Sequence, residues 1–209
     1  MSLVDRTVRE LLDAVASPAP TPGGGSASAL ASALGASLLM MVAAMPKTRS
    51  GTEEDARALR SAREALDALR ADLIASIDED AAAYDRVLAA FKLPKGTPEE
   101  QQARRAAIQA ATRGATEVPL RVMQLSGSAL AHAAAVGSHG HRGAASDVGV
   151  GAALVRAGLD GARLNVEINL PGIADAAYAA DARARLERFG DEGRARADAV
   201  EALLRQLGA

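Results

Sequence analysis

The chain has 209 residues, 49% of them hydrophobic and only 2% aromatic, with no tryptophan, no cysteine and a formal charge of −2. This balance supports a sizeable core in one domain and excludes a disordered chain, disulfides and thiol catalysis. With no basic block it speaks against nucleic acid as a partner, and alanine in place of β-branched residues predicts an all-α protein.

Residues 4–16 carry Val4, Val8, Leu11, Leu12 and Val15 on one helical stripe. That helix must stop before the prolines of residues 18–22. Next come Pro22, Gly23, Gly24, Gly25 and Ser26. A plain connector has no use for a glycine triplet, which costs backbone entropy. The triplet suits a backbone brought close to a ligand, with the N–H groups of the following helix aimed at it.

Residues 26–45 carry no charge and are long enough to span a bilayer. Their Ala, Ser and Gly content makes them weakly hydrophobic for one, so a buried helix is expected and no membrane. Ala27, Ala31 and Gly35 fall four apart and predict a smooth face for a neighbouring helix. No signal-peptide pattern opens the chain, which, with the missing cysteines, leads us to expect a cytoplasmic protein.

A polar loop at 46–51 holds Lys47 and Arg49. Thr52 and Asp55 predict a capping box for a long third helix reaching about Phe91. Its apolar stripe runs Leu59, Ala62, Leu66, Leu69, Leu73, Ile77, Tyr84 and Phe91, and the position completing the rhythm between Ile77 and Tyr84 is Asp80. A carboxylate in a core stripe is costly unless it is paired or used. It is either hydrogen-bonded to a buried group, or a half-buried acid with a raised pKa, suited to shuttling protons.

Thr97, Pro98 and Glu100 predict the start of a fourth helix, running to about Thr116 and kinked or restarted at Pro119. Ser146 reads as the N-cap of a fifth, with Asp147 beside it either capping or chemical. His132, His139 and His141 lack helical ligand spacing and an acid pair, so no metal is expected. LNVEINL at 164–170 alternates like a strand, yet a lone strand would leave its backbone unpaired. The helical reading places Asn165 and Asn169 one above the other. A last helix, interrupted near Gly190 and Gly193, finishes the chain.

PTPGGGSASALASALGASL, IDEDAAAY, KLPKGTPEE, VPL at 118–120, SDVGVGAAL and LNVEINL stand in an order that resembles the cyclodeaminase/cyclohydrolase family of folate enzymes. The resemblance runs from the first helix to about residue 190. It implies a homodimeric bundle of long antiparallel helices, a single domain over residues 1–209, a tetrahydrofolate derivative as substrate and no separate cofactor. Asp80 matches an Asp assigned to catalysis in that family, and Tyr84 closes the same block. Pro22 to Ser26, Ser146 with Asp147, Asn165 and Asn169 match its other blocks; Asp147 is taken as a second catalytic carboxylate, and the others, together with Lys47 and Tyr84, as substrate groups. Two blocks depart from the family pattern. PKTRSG replaces a lysine-rich segment, and GHRGAASD has His141 and Gly143 where the family has Asn.

The implied reaction closes 5-formiminotetrahydrofolate to 5,10-methenyltetrahydrofolate with release of ammonia. Methenyltetrahydrofolate cyclohydrolase and a non-catalytic folate-binding dimer are the alternatives.

Overall fold

Val8–Ala16 (α1), Gly24–Ala43 (α2), Glu53–Phe91 (α3), Pro98–His139 (α4), Ala145–Asn169 (α5) and Ala176–Gln206 (α6) are the α-helices of the computed structural model, which describes residues 2–208. No strand forms among the described residues, and the one isolated bridge joins Thr48 to Gly140. LNVEINL completes α5 and enters a 3-10 turn at Leu170–Gly172. Its alternation is a coincidence of two helical faces: Val166 and Leu170 are buried, whereas Leu164 and Ile168, also four apart, are exposed.

α2 runs antiparallel to both α3 and α5, and α4 lies behind it, in contact with α3, α5 and α6. The α2–α5 seam is drawn close by small residues. A Cβ on Gly158 would fall 2.0 Å from Ser32 Oγ, and one on Gly35 would fall 2.5 Å from the Gly151 carbonyl. The expected Ala27–Ala31–Gly35 face is therefore half right. Gly35 faces α5 together with Ser28 and Ser32, while Ala27 and Ala31 look outward. Leu39, Leu66, Leu73, Leu120, Leu130 and Leu159 are fully buried, each stabilising the fold by about 1.5–3 kcal/mol.

Several expected boundaries move. The first helix is split into a 3-10 turn at Leu3–Asp5 and α1, with Thr7 and Glu10 forming a capping box between them. None of α1 is buried, and Val8 is 77% exposed, so its apolar stripe is not core. Pro119 does not break α4, and neither Gly190 nor Gly193 breaks α6. Gly193 exists for packing, since a Cβ there would meet Leu159 Cδ1 at 2.7 Å. Ser146 is not an N-cap; α5 starts at Ala145, after Ala144, without a side-chain cap. Tyr84 and Phe91, read as core, are both exposed: Tyr84 lines a cavity beside the start of α2, and Phe91, past that start, carries Arg104 of α4 over its ring.

Candidate functional site

Asp80 sits half-buried on α3 where the stripe places it, facing the first turn of α2. None of Gly23, Gly24 and Gly25 uses a positive φ. The glycines serve close approach instead. A Cβ on Gly25 would lie 2.0 Å from Asp80 Oδ1, while one on Gly24 would stand a comfortable 3.5 Å from Asn165 Nδ2. The triplet thus lets the α2 backbone press on the carboxyl.

Ser26 is buried next to it, with its Oγ 2.9 Å from the Ile77 carbonyl and 3.1 Å from Asp80 Oδ2. One hydroxyl proton serves both neighbours. With Asp80 ionised, Ser26 donates to the carboxylate. With Asp80 protonated, Ser26 turns to Ile77 and accepts from the acid. Both protonation states are satisfied, as a proton shuttle requires. Burial pushes the Asp80 carboxyl above its ordinary range, against the pull of the Ser26 hydroxyl and backbone N–H.

Asp80 opens into a cavity of about 170 Å³, whose wall includes Gly23, Gly24, Tyr84, Asn165, Ile168 and Asn169. Asn165 donates to the Gly161 carbonyl at 2.8 Å, fixing its amide against Gly24. Asn169 donates to the Ala115 carbonyl at 2.9 Å. That carbonyl is the one Pro119, having no N–H, leaves without its helical partner. The sequence held this signal, since a proline inside a helix always frees the carbonyl four residues back, but it does not say which side chain answers. Pro22 is buried in the loop before the glycines.

The remaining expected site residues lie elsewhere. Lys47 is exposed in the loop after α2, Ser146 is exposed and Asp147 is half-buried in the first turn of α5. Asp147 precedes Asn165 by eighteen helical residues, or about 27 Å. Within one chain Asp147 and Lys47 are not brought together with Asp80. Lys47 adjoins a second cluster at the opposite end, one that nothing in the sequence led us to expect. Asp55, buried, bonds His139 Nδ1 at 2.8 Å, the Ser50 N–H at 2.7 Å and the Thr48 hydroxyl at 3.1 Å. The capping box is half-formed for this reason: Thr52 accepts from the Asp55 N–H, but the carboxylate has turned to His139. Among the described residues no three His, Asp or Glu side chains converge as a metal site.

A half-buried carboxyl with two satisfied protonation states, in a cavity shared with Tyr84, Ile168 and two asparagine amides, can move a proton between two atoms of one bound molecule. The formiminotransferase-cyclodeaminase family model matches residues 7–188. A methenyltetrahydrofolate cyclohydrolase of Methylorubrum extorquens is 38% identical over 183 residues, 88% of each chain. The formimidoyltransferase-cyclodeaminase of Sus scrofa is 34% identical over 95% of this chain, which spans 37% of that longer protein. The crystal structure of formiminotetrahydrofolate cyclodeaminase from Thermotoga maritima superposes with a TM-score of 0.86 at 25% identity, covering 98% of both chains.

Proposed function

The chain belongs to the formiminotransferase-cyclodeaminase family, and we propose that it is a formiminotetrahydrofolate cyclodeaminase in which Asp80 handles the protons. The observation that carries this reading is the Asp80–Ser26–Gly25 contact at the mouth of the cavity. In the protonated formimino substrate, N10 attacks the formimino carbon and a new N10–C bond forms. Asp80, ionised, takes the N10 proton from the tetrahedral adduct and returns it to the exocyclic nitrogen. The C–N bond then breaks, ammonia leaves, and the methenyl bridge keeps the positive charge. Holding both atoms of one molecule in register supplies much of the rate; the proton relay supplies about 10²–10⁴-fold.

A second reading is favoured by one observation, the 38% identity to a cyclohydrolase over 88% of each chain. There the same carboxyl activates water against the methenyl carbon, and the N5–C bond opens to give the 10-formyl compound. Either reading takes the chain as a cytoplasmic homodimer of single-domain subunits working without a separate cofactor. Offering both folates separates the two. Rising near-ultraviolet methenyl absorbance with stoichiometric ammonia marks the deaminase, accelerated decay of added methenyl compound marks the hydrolase, and neither change refutes both.

A further inference from the structure

The Asp80 cavity is small and lined by acceptors. Its volume of about 170 Å³ falls short of the ~300–1,000 Å³ that encloses a drug-sized ligand. It is sized for the reacting part of a substrate rather than the whole molecule. Among the described residues that line it, Asp80 carries a charge and none is a lysine or arginine. Asn165 and Asn169 add two polar groups to the wall, and the way each amide is tied decides what it offers.

A backbone carbonyl can only accept, so the amide atom bonded to it must be the nitrogen. Asn165 Nδ2 donates to the Gly161 carbonyl at 2.8 Å, and Asn169 Nδ2 donates to the Ala115 carbonyl at 2.9 Å. Both nitrogens are thereby held toward backbone, and neither Oδ1 accepts a hydrogen bond from the described residues. Gly24 stands beside the Asn165 amide without crowding it, since even an added Cβ would keep 3.7 Å from its Oδ1. The spacing of the two amides is also defined. Residues four apart on one helix have Cβ atoms about 5–6 Å apart. Two acceptors that each take one N–H of a planar NH2 group at ~2.9 Å stand about 5 Å apart. A single nitrogen bearing two hydrogens matches that separation.

We propose that Asn165 Oδ1 and Asn169 Oδ1 hold the two N–H bonds of the leaving nitrogen, and so make the cavity selective for an amidinium over the methenyl cation. The proposal rests on the folate reading for the identity of the substrate. In the protonated formimino group the terminal nitrogen is a planar, positively charged NH2. The two asparagine oxygens accept its hydrogens, and the Asp80 carboxylate balances its charge. When N10 attacks the carbon, the C=N electron pair moves onto that nitrogen as a lone pair. An amide oxygen has no proton to give it. The lone pair is left for Asp80, which passes on the proton taken from N10; the C–N bond then breaks and ammonia departs with the pair. The methenyl compound carries no N–H at its reacting carbon, so the same oxygens find no donor there. Of the two readings, this wall favours the deaminase.

Asn165 is the residue to change, because its tie stays within α5 whereas Asn169 also anchors α4. Asn165→Leu keeps the size and removes the acceptor. Losing a hydrogen bond to a charged group should lower kcat/KM on 5-formiminotetrahydrofolate at least ten-fold. The Tm and the action on added methenyl compound should stay close to those of the parent. A variant as fast as the parent on the formimino compound, or one that loses equally on both folates, would overturn the selectivity.

An amidinium without any folate gives an independent readout. Acetamidinium chloride should shift the side-chain amide NMR signals of Asn165 and Asn169, whereas acetamide at the same concentration and ionic strength should not. Equal response to both molecules, or to neither, would overturn the proposal. A parent protein that turns over neither folate removes the folate reading alone, and the acetamidinium titration still decides what the cavity accepts.

Discussion

At the scale of single residues, the chemistry turns on how tightly Gly25 and Ser26 hold Asp80. Gly25→Ala places a methyl 2.0 Å from Asp80 Oδ1, an overpacking that costs about 1–3 kcal/mol and displaces the carboxyl. Gly24→Ala meets nothing closer than 3.5 Å. Thermal unfolding and turnover of the two variants should therefore differ sharply, and equal losses would mean the triplet merely turns the chain. Ser26→Ala removes a hydrogen bond that lowers the Asp80 pKa. Since the ionised carboxylate is the base, the acid limb of the pH–rate profile should move to higher pH; an unmoved limb would separate Ser26 from the proton transfer. The position of Asp80 was legible in the rhythm of the α3 stripe. Which of the three glycines touches it was not, because the triplet is uniform and only the packing of α2 on α3 distinguishes its members.

Between elements, two side-chain links replace bonds that the helices cannot make for themselves. Asn169 answers the Ala115 carbonyl freed by Pro119. Leaving that carbonyl unpaired costs about 1–3 kcal/mol, so Asn169→Ala should destabilise by that order. In a Pro119→Ala background the helix supplies its own N–H, and the same substitution should cost much less. Additive losses in the double variant would refute the link. At the opposite end Asp55 is held down from its ordinary 3.8 to about 2, chiefly by its hydrogen bond from His139 and then by the Ser50 N–H. A depressed carboxyl contributes stability above its unfolded pKa and loses it as pH falls through the folded value. The Tm gap between parent and Asp55→Asn should thus close as pH drops from about 4 toward 2; a constant gap would show that ionisation of Asp55 is irrelevant. The helix start with a full capping box at Thr97 was readable from local sequence, whereas the box at Thr7 lies inside what was expected to be one helix over residues 4–16. The interruption expected near Gly190 and Gly193, and the restart allowed for at Pro119, do not occur, because tertiary packing outweighs local propensity at buried positions.

Across the whole molecule, the all-helical class followed from an alanine-rich, aromatic-poor chain, and the order of its motif blocks pointed to the family. What stayed hidden was their placement. Antiparallel helices send blocks that alternate along the chain to opposite ends of the bundle, so Gly23 to Ser26, Asp80 and Asn165 share one end while Lys47 and Asp147 share the other. Linear order carries no information about which end a block reaches until the helices are paired. The long bundle then has one carboxyl that is half-buried, raised in pKa and open to a cavity. The most direct test of that centre is the rate of methenyl formation and ammonia release from 5-formiminotetrahydrofolate by the parent and by Asp80→Asn, with unfolding measured on both. Asn keeps the shape and removes the proton. Because burial raises the Asp80 pKa, its ionised form costs stability that is lost as pH rises through that pKa, so the variant should be at least as stable as the parent near neutral pH. Turnover should fall by about 10²-fold or more with folding intact; a well-folded variant working within a few-fold of the parent would contradict Asp80 as the proton-transfer group.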